Sequence, residues 1–164
     1  MASPSPPTTL RPATPADVPI ILGFIRELAA YEKLEHEVVA TEALLAGQLF
    51  GPHPAAEVII AEVNGAAVGF ALFFHNFSTF VGRRGLFLED LYVQPHARGL
   101  GIGKALLRHL AGLAVTRGCG RMDWNVLDWN APAIGFYEKL GADVLPDWRT
   151  CRVTGDALEA LARG

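Results

Sequence analysis

Residues 97–107 read ARGLGIGKALL. Gly99, Gly101 and Gly103 alternate with single residues, and an apolar helical pattern follows at once. Glycine costs backbone entropy and adds little to a core, so this run needs a reason. One reason is a tight turn. The other is close approach of backbone N–H groups to an anion. A helix start offers unpaired N–H groups and the positive end of a dipole. Glycines remove the side chains that would hold a phosphate away. Arg98 can add a charge-assisted hydrogen bond. Two nucleotide-binding templates fail on spacing. A Walker A loop needs glycine where Arg98 stands, and Ser or Thr where Ala105 stands. A G-x-G-x-x-G fingerprint needs glycine at Lys104 or Leu106. What is left is Arg-x-x-Gly-x-Gly between a strand and a helix.

The elements around the loop can be read from periodicity. LFLEDLYV before it is a buried strand, stopped by Pro95 after a Gly/Arg loop at 82–85. After it, Leu106, Leu107, Leu110, Leu113 and Ala114 share one helical face, up to a stop at Gly118. Upstream, LRPAT suggests a short first strand. Val18, Ile21, Leu22, Ile25, Leu28 and Ala29 repeat at helical spacing after a Thr14–Asp17 start, with Pro19 set to delay entry by a turn. A second helix follows Thr41 and ends near Gly51-Pro52. Asn64-Gly65 between two β-rich runs marks a hairpin. Downstream, RMDWNVL reads as a strand. NAPAIGFYEKLGA reads as a helix with Asn130 as N-cap and Gly141 just past its end. WRTCRVTG is a last strand candidate and DALEALA a closing helical turn. Strands and helices mix without strict alternation, which indicates an α/β or α+β mixed sheet.

Length and composition set the class. A chain of 164 residues suits a single domain, here 10–164 behind a flexible proline-rich tail at 1–9. Formal net charge is −3, which gives no general attraction to nucleic acid or to an anionic membrane. Cys119 and Cys151 are too few for a disulfide framework, and no Cys/His cluster has metal-site spacing. No run of about 18 apolar residues suggests a membrane span, and the start lacks the apolar core of a signal peptide. The expected location is cytoplasmic.

LEDLYVQPHARGLGIGKALLRHLAGLA resembles the acetyl-CoA-binding signature of the GCN5-related N-acetyltransferases. The strand, the R-x-x-G-x-G loop and the helix come in that family's order. RPATPADVPIILGFIRELAAYEKLE, TEALLAGQLFGPHP and LDWNAPAIGFYEKLGA further resemble the diamine subgroup, which includes spermidine/spermine-type and thialysine-type enzymes. The resemblance implies a central, mixed, mostly antiparallel twisted sheet flanked by helices. It implies acetyl transfer from acetyl-CoA to an amine by direct attack, without metal. It also implies a homodimer. The loop residues Arg98, Gly99, Leu100, Gly101, Ile102, Gly103 and Lys104 would then hold the CoA pyrophosphate. Backbone groups of Leu91, Tyr92 and Val93 would pair with the pantetheine amides, and Asn130 would lie beside that arm. Asn130 as a plain helix cap is compatible with this.

Such a reaction needs a neutral amine and a partner for the leaving thiolate. The resemblance selects Glu89 as base or proton acceptor. Glu89 and Asp90 are strand neighbours, so at most one should face the site. An ammonium near 10.4 and a carboxyl near 4.3 differ by roughly 6 units, so burial or a water relay must help Glu89. The plainer alternative is a structural carboxylate. Tyr137 is the family's candidate general acid toward the CoA sulfur. Full transfer from a phenol to a thiolate is uphill by about 2 kcal/mol, so a hydrogen bond would do most of the work. The plainer alternative is a core aromatic. For a cationic acceptor, the subgroup places Tyr31 and Glu32 nearby, and Asp123, Trp124 and Asn125 hold acceptor-lining positions. The shortened acidic stretch at LPDWRT departs from the polyamine pattern, which leaves a diamine, a polyamine or a thialysine-like amino acid as acceptor. The rival functions are a non-catalytic acetyl-CoA-binding regulatory domain and an acetyltransferase for a protein N-terminus or lysine.

Overall fold

The structure, a computed structural model, describes residues 7–164. The chain divides into two compact units, Met1–Asn125 and Val126–Gly164. The sequence reading takes 10–164 as one domain, because no Pro/Gly/Ser-rich linker marks residue 125.

The first unit is built on a five-stranded sheet in chain order. The strands are β1 (Thr8–Pro12), β2 (Glu57–Val63), β3 (Ala66–Ser78), β4 (Arg83–Val93) and β5 (Met122–Trp124). The first four pair antiparallel, and β5 joins β4 in parallel. This is the mostly antiparallel mixed sheet that the resemblance implies. Thr8 and Thr9, read from sequence as tail, pair with Val63 and Glu62. A partner strand orders a segment that composition alone makes loose. Residues 1–6 of that tail lie outside the described residues. The β2–β3 turn is as expected, with Asn64 and Gly65 left-handed at φ 52 and 78. Arg83, Arg84 and Gly85, expected in a loop, already belong to β4, because Ser78, Phe77 and Asn76 pair with them.

Three helices accompany this sheet: α1 (Val18–Tyr31), α2 (Glu42–Phe50) and α3 (Ile102–Thr116). Pro19 does not delay α1. It sits in the first turn, where a missing N–H costs nothing. Ahead of α1, the Thr14 backbone N–H donates to Asp17 at 2.7 Å. Arg11 donates to the same carboxylate through Nη1 and Nη2, at 2.8 and 2.9 Å. Thr41 Oγ1 caps α2, accepting from the Leu44 N–H at 3.2 Å.

The core gathers Ile21 and Phe24 of α1, Leu49 of α2, Val58 and Ile60 of β2, Phe70 of β3 and Tyr92 of β4. Phe24 stacks on Phe70 with ring centroids 5.6 Å apart. β3 is buried without a break from Val68 to Ala71, as in a strand covered on both faces. α3 supplies the other cover with Leu106, Leu107 and Leu110. At its C-cap, the Arg117 guanidinium lies 5.8 Å from the ring of Phe73, which points to the face opposite Phe70. Arg117 also holds Glu57 of β2 at 2.6 and 2.9 Å.

The second unit contains α4 (Ala131–Glu138) and α5 (Gly155–Arg163). Asn130 caps α4 as its sequence position predicts, its Oδ1 accepting from the Ala133 N–H at 3.3 Å. Gly141 follows the helix end at φ 91. WRTCRVTG, read as a last strand, forms none. Its β-propensity has no paired edge to act on. The closing helical turn is present as α5.

Candidate functional site

The centre of the site is an irregularity in β4. Leu72 of β3 stands opposite Asp90, but the next residue, Phe73, stands opposite Leu88. Glu89 is therefore the extra residue of a β-bulge. Regular pleating would send Glu89 and Asp90 to opposite faces. The bulge breaks the alternation, and both residues line one cavity of about 390 Å³. The expectation that only one would face the site is corrected.

Opposite β4, Leu28 of α1 and Glu32 at its C-cap line the cavity, and Glu37 and Val38 close it from beyond the helix. The chain returns there through a Schellman end to α1. The Lys33 N–H donates to the Ala30 carbonyl at 3.1 Å and the Leu34 N–H to Ala29 at 2.8 Å. Lys33 takes the left-handed position at φ 62. Four carboxylates thus surround one partly apolar cavity. The effect falls on Asp90. Burial, and then the charges of Glu89 and Glu32, push its carboxyl up to about 6. Burial also raises Glu32. Glu89, expected as the buried carboxylate, is exposed. Asp90 was not picked out by sequence reasoning. The signal was visible, two adjacent acids in an apolar strand, but the bulge that brings both to one cavity was not.

Past Leu88 the sheet opens. β5 pairs with β4 only at Leu86, Phe87 and Leu88. From Glu89 to Val93, among the described residues, no strand pairs with that edge of β4. Its peptide groups, including those of Leu91 and the N–H of Val93, can therefore meet an extended ligand. Next comes the glycine loop. Gly99 and Gly101 are left-handed at φ 82 and 80, and a Cβ at either would meet open space. Backbone conformation, not crowding, selects glycine there. Gly101 is the N-cap of α3, and the first bond of the helix is Ala105 N–H to the Gly101 carbonyl at 2.9 Å. The N–H groups of Ile102, Gly103 and Lys104 therefore lack intrahelical acceptors. Ile102 is buried and anchors this end, whereas Leu100 and Lys104 are exposed.

Other expected site residues are placed as follows. Arg98 Nε donates to the Val93 carbonyl at 2.9 Å. Tyr31 does not line the cavity; its ring lies 5.1 Å from the Arg98 guanidinium. Asp123 accepts from Arg121 Nε at 2.8 Å. Trp124 ends β5 and Asn125 follows it. Asn130 and Tyr137 lie in the second unit, where the Tyr137 ring packs on Phe136 at 5.4 Å between centroids.

A model of the Acetyltransferase (GNAT) family matches residues 24–142. The chain belongs to the GNAT acetyltransferase family. The L-ornithine N5-acetyltransferase NATA1 of Arabidopsis thaliana is 36% identical over 197 residues, covering 93% of this chain and 86% of that protein. The thialysine N-epsilon-acetyltransferase of Mus musculus is 37% identical over 166 residues, covering 94% and 97%. Among solved structures, an integron cassette protein from V. cholerae superposes with a TM-score of 0.80 at 30% identity, covering 96% of this chain and 98% of that one. This GNAT protein is thus an acyltransferase, and the family's enzymes take acetyl from acetyl-CoA. The GNAT match spans α1 from Phe24, the cavity, the glycine loop and Tyr137. Among the described residues, no helix is long and apolar enough to cross a membrane.

Proposed function

We propose that this protein transfers the acetyl group of acetyl-CoA to a primary amine of a small cationic acceptor. The acceptor class is a diamine, a polyamine or a basic amino acid of the ornithine or thialysine type. The observation that carries this is the carboxylate-lined cavity beside the bulge in β4. A cationic amine neutralises the charge that otherwise drives Asp90 upward.

On this reading the pyrophosphate of the donor lies against the first-turn N–H groups of α3, with Arg98 beside it. The pantetheine arm runs along the open edge of β4. Two features favour that fit: the uncrowded left-handed glycines and the unpaired edge. The carbonyl is thereby brought to the end of the bulge, next to the cavity. Glu89, the exposed carboxylate, accepts the ammonium proton directly or through water. The amine nitrogen bonds to the carbonyl carbon, the carbon–sulfur bond breaks, the nitrogen gives up its second proton to the departing thiolate, and Tyr137 donates a hydrogen bond to that sulfur.

The test is release of thiol from acetyl-CoA with diamines, polyamines, ornithine, thialysine, other amino acids and peptides. Turnover with small diamines or basic amino acids is expected. Tight CoA binding without turnover on any amine would make the protein a donor-binding module. Turnover only with peptides would assign a protein acceptor.

A further inference from the structure

Glu27 and Tyr31 are one turn apart on α1 and reach the same stretch of chain. The Glu27 carboxylate accepts from Gln94 Nε2 at 3.1 and 3.2 Å. Burial and then the neighbouring Glu27 carboxylate hold the Tyr92 phenol above its ordinary value, against the opposing pull of Arg98. The Tyr31 ring lies 5.1 Å from the Arg98 guanidinium carbon, and the Tyr92 ring 5.7 Å from it. The Nε–H of Arg98 is committed to the Val93 carbonyl at 2.9 Å. One edge of the guanidinium and its ring contacts are thus fixed before the chain enters the glycines.

A free arginine loses much rotamer entropy when it clamps a ligand. An arginine already held against aromatic rings loses less, which is preorganisation. Cation–π attraction depends on the ring, not on the phenol hydroxyl. We infer that Tyr31 is a positioning residue for the donor: it holds Arg98 so that its remaining guanidinium N–H groups face the anion entering the glycine loop. This rests on the reading of that loop as a CoA pyrophosphate site. It gives Tyr31 a task different from acceptor contact. That task falls to its neighbour Glu32, which lines the cavity.

The test is CoA binding to the full chain by calorimetry, with steady-state kinetics for both substrates. Tyr31→Leu should weaken CoA binding about fivefold and raise the acetyl-CoA KM by a similar factor, while the amine KM is unchanged. Tyr31→Phe should stay within about twofold of the parent, because the ring is kept. With Arg98→Leu already in place, Tyr31→Leu should add nothing, since residues acting through one another are not additive. Three results would overturn the inference while leaving the proposed function intact. They are equal losses in both backgrounds, equal losses for Leu and Phe, and a rise confined to the amine KM. Failure of the parent protein to bind CoA would overturn both. Tyr31 is well exposed, and Tyr31→Gln offers a second ring-free variant with the same expectation.

Discussion

Glu89 and Asp90 are adjacent in β4 and line the same cavity, because Glu89 is the extra residue of a bulge opposite Leu72 and Phe73. Two carboxylates on one side of a strand repel each other, and Glu32 adds a third charge. A fold keeps such an arrangement at a cost in stability, which a bound cation would offset.

The cost should be measurable as pH dependence. The folded Asp90 titrates at about 6, above its ordinary 3.8. Between those values the native state binds more protons than the unfolded state, so stability falls as pH rises, and the loss is complete above about 6. Asp90→Asn should therefore stabilise the protein by about 2 kcal/mol at pH 7 and by little near pH 4. Urea unfolding at the two pH values checks this. The acceptor KM should rise as the pH is lowered through about 6, and Asp90→Asn should raise it already at pH 7.

The glycine loop separates conformation from composition. Gly101→Ala forces an L-residue to φ 80 and should cost about 1–2 kcal/mol. It should also weaken CoA binding at least severalfold. Gly112, inside α3 with open space around it, is the control. Gly112→Ala should stabilise the helix by about 0.5–1 kcal/mol and leave CoA affinity unchanged. Thermal melts and calorimetry measure both.

At the other end of the sheet, Arg11 holds the buried Asp17 far below the ordinary carboxylate range, chiefly by its side-chain hydrogen bonds. This stability is fully present above about 3.8 and is lost as acid drives the pH toward the lower folded value. Asp17→Asn should cost about 2–4 kcal/mol at pH 7, and the difference from the parent should shrink in acid. Denaturant titrations across that range give the answer.

Tyr137→Phe isolates the phenol hydroxyl. If it assists the leaving thiolate, turnover should fall about 10–100-fold while CoA affinity holds within about twofold. A fall in melting temperature with unchanged turnover in the folded fraction would assign Tyr137 to packing.

Local signals made much of the first unit legible. Asn64-Gly65 sets its own backbone angles, and Thr41 caps the next turn by contacts a few residues long. Asn130 does the same in the second unit. WRTCRVTG was misread because a strand is defined by a neighbour, and propensity does not supply one. Thr8 and Thr9 were misread in the opposite sense, since Val63 and Glu62 lie far along the chain.

The sequence by itself determined the glycine loop that is proposed to take the donor. Alternating glycines, an arginine and an apolar helix are adjacent in the chain, and helix-start geometry follows from short-range sterics. Only the tertiary structure decided the carboxylate-lined cavity that is proposed for the acceptor. The bulge that brings Glu89 and Asp90 into one cavity depends on register with β3, and Glu32 reaches it from the end of a helix more than 50 positions earlier. Tyr31 also depends on the tertiary structure. The subgroup resemblance puts it near the acceptor with Glu32, and α1 lays its ring 5.1 Å from the Arg98 guanidinium. Helical neighbours point about 100° apart, so adjacent residues can serve different sites.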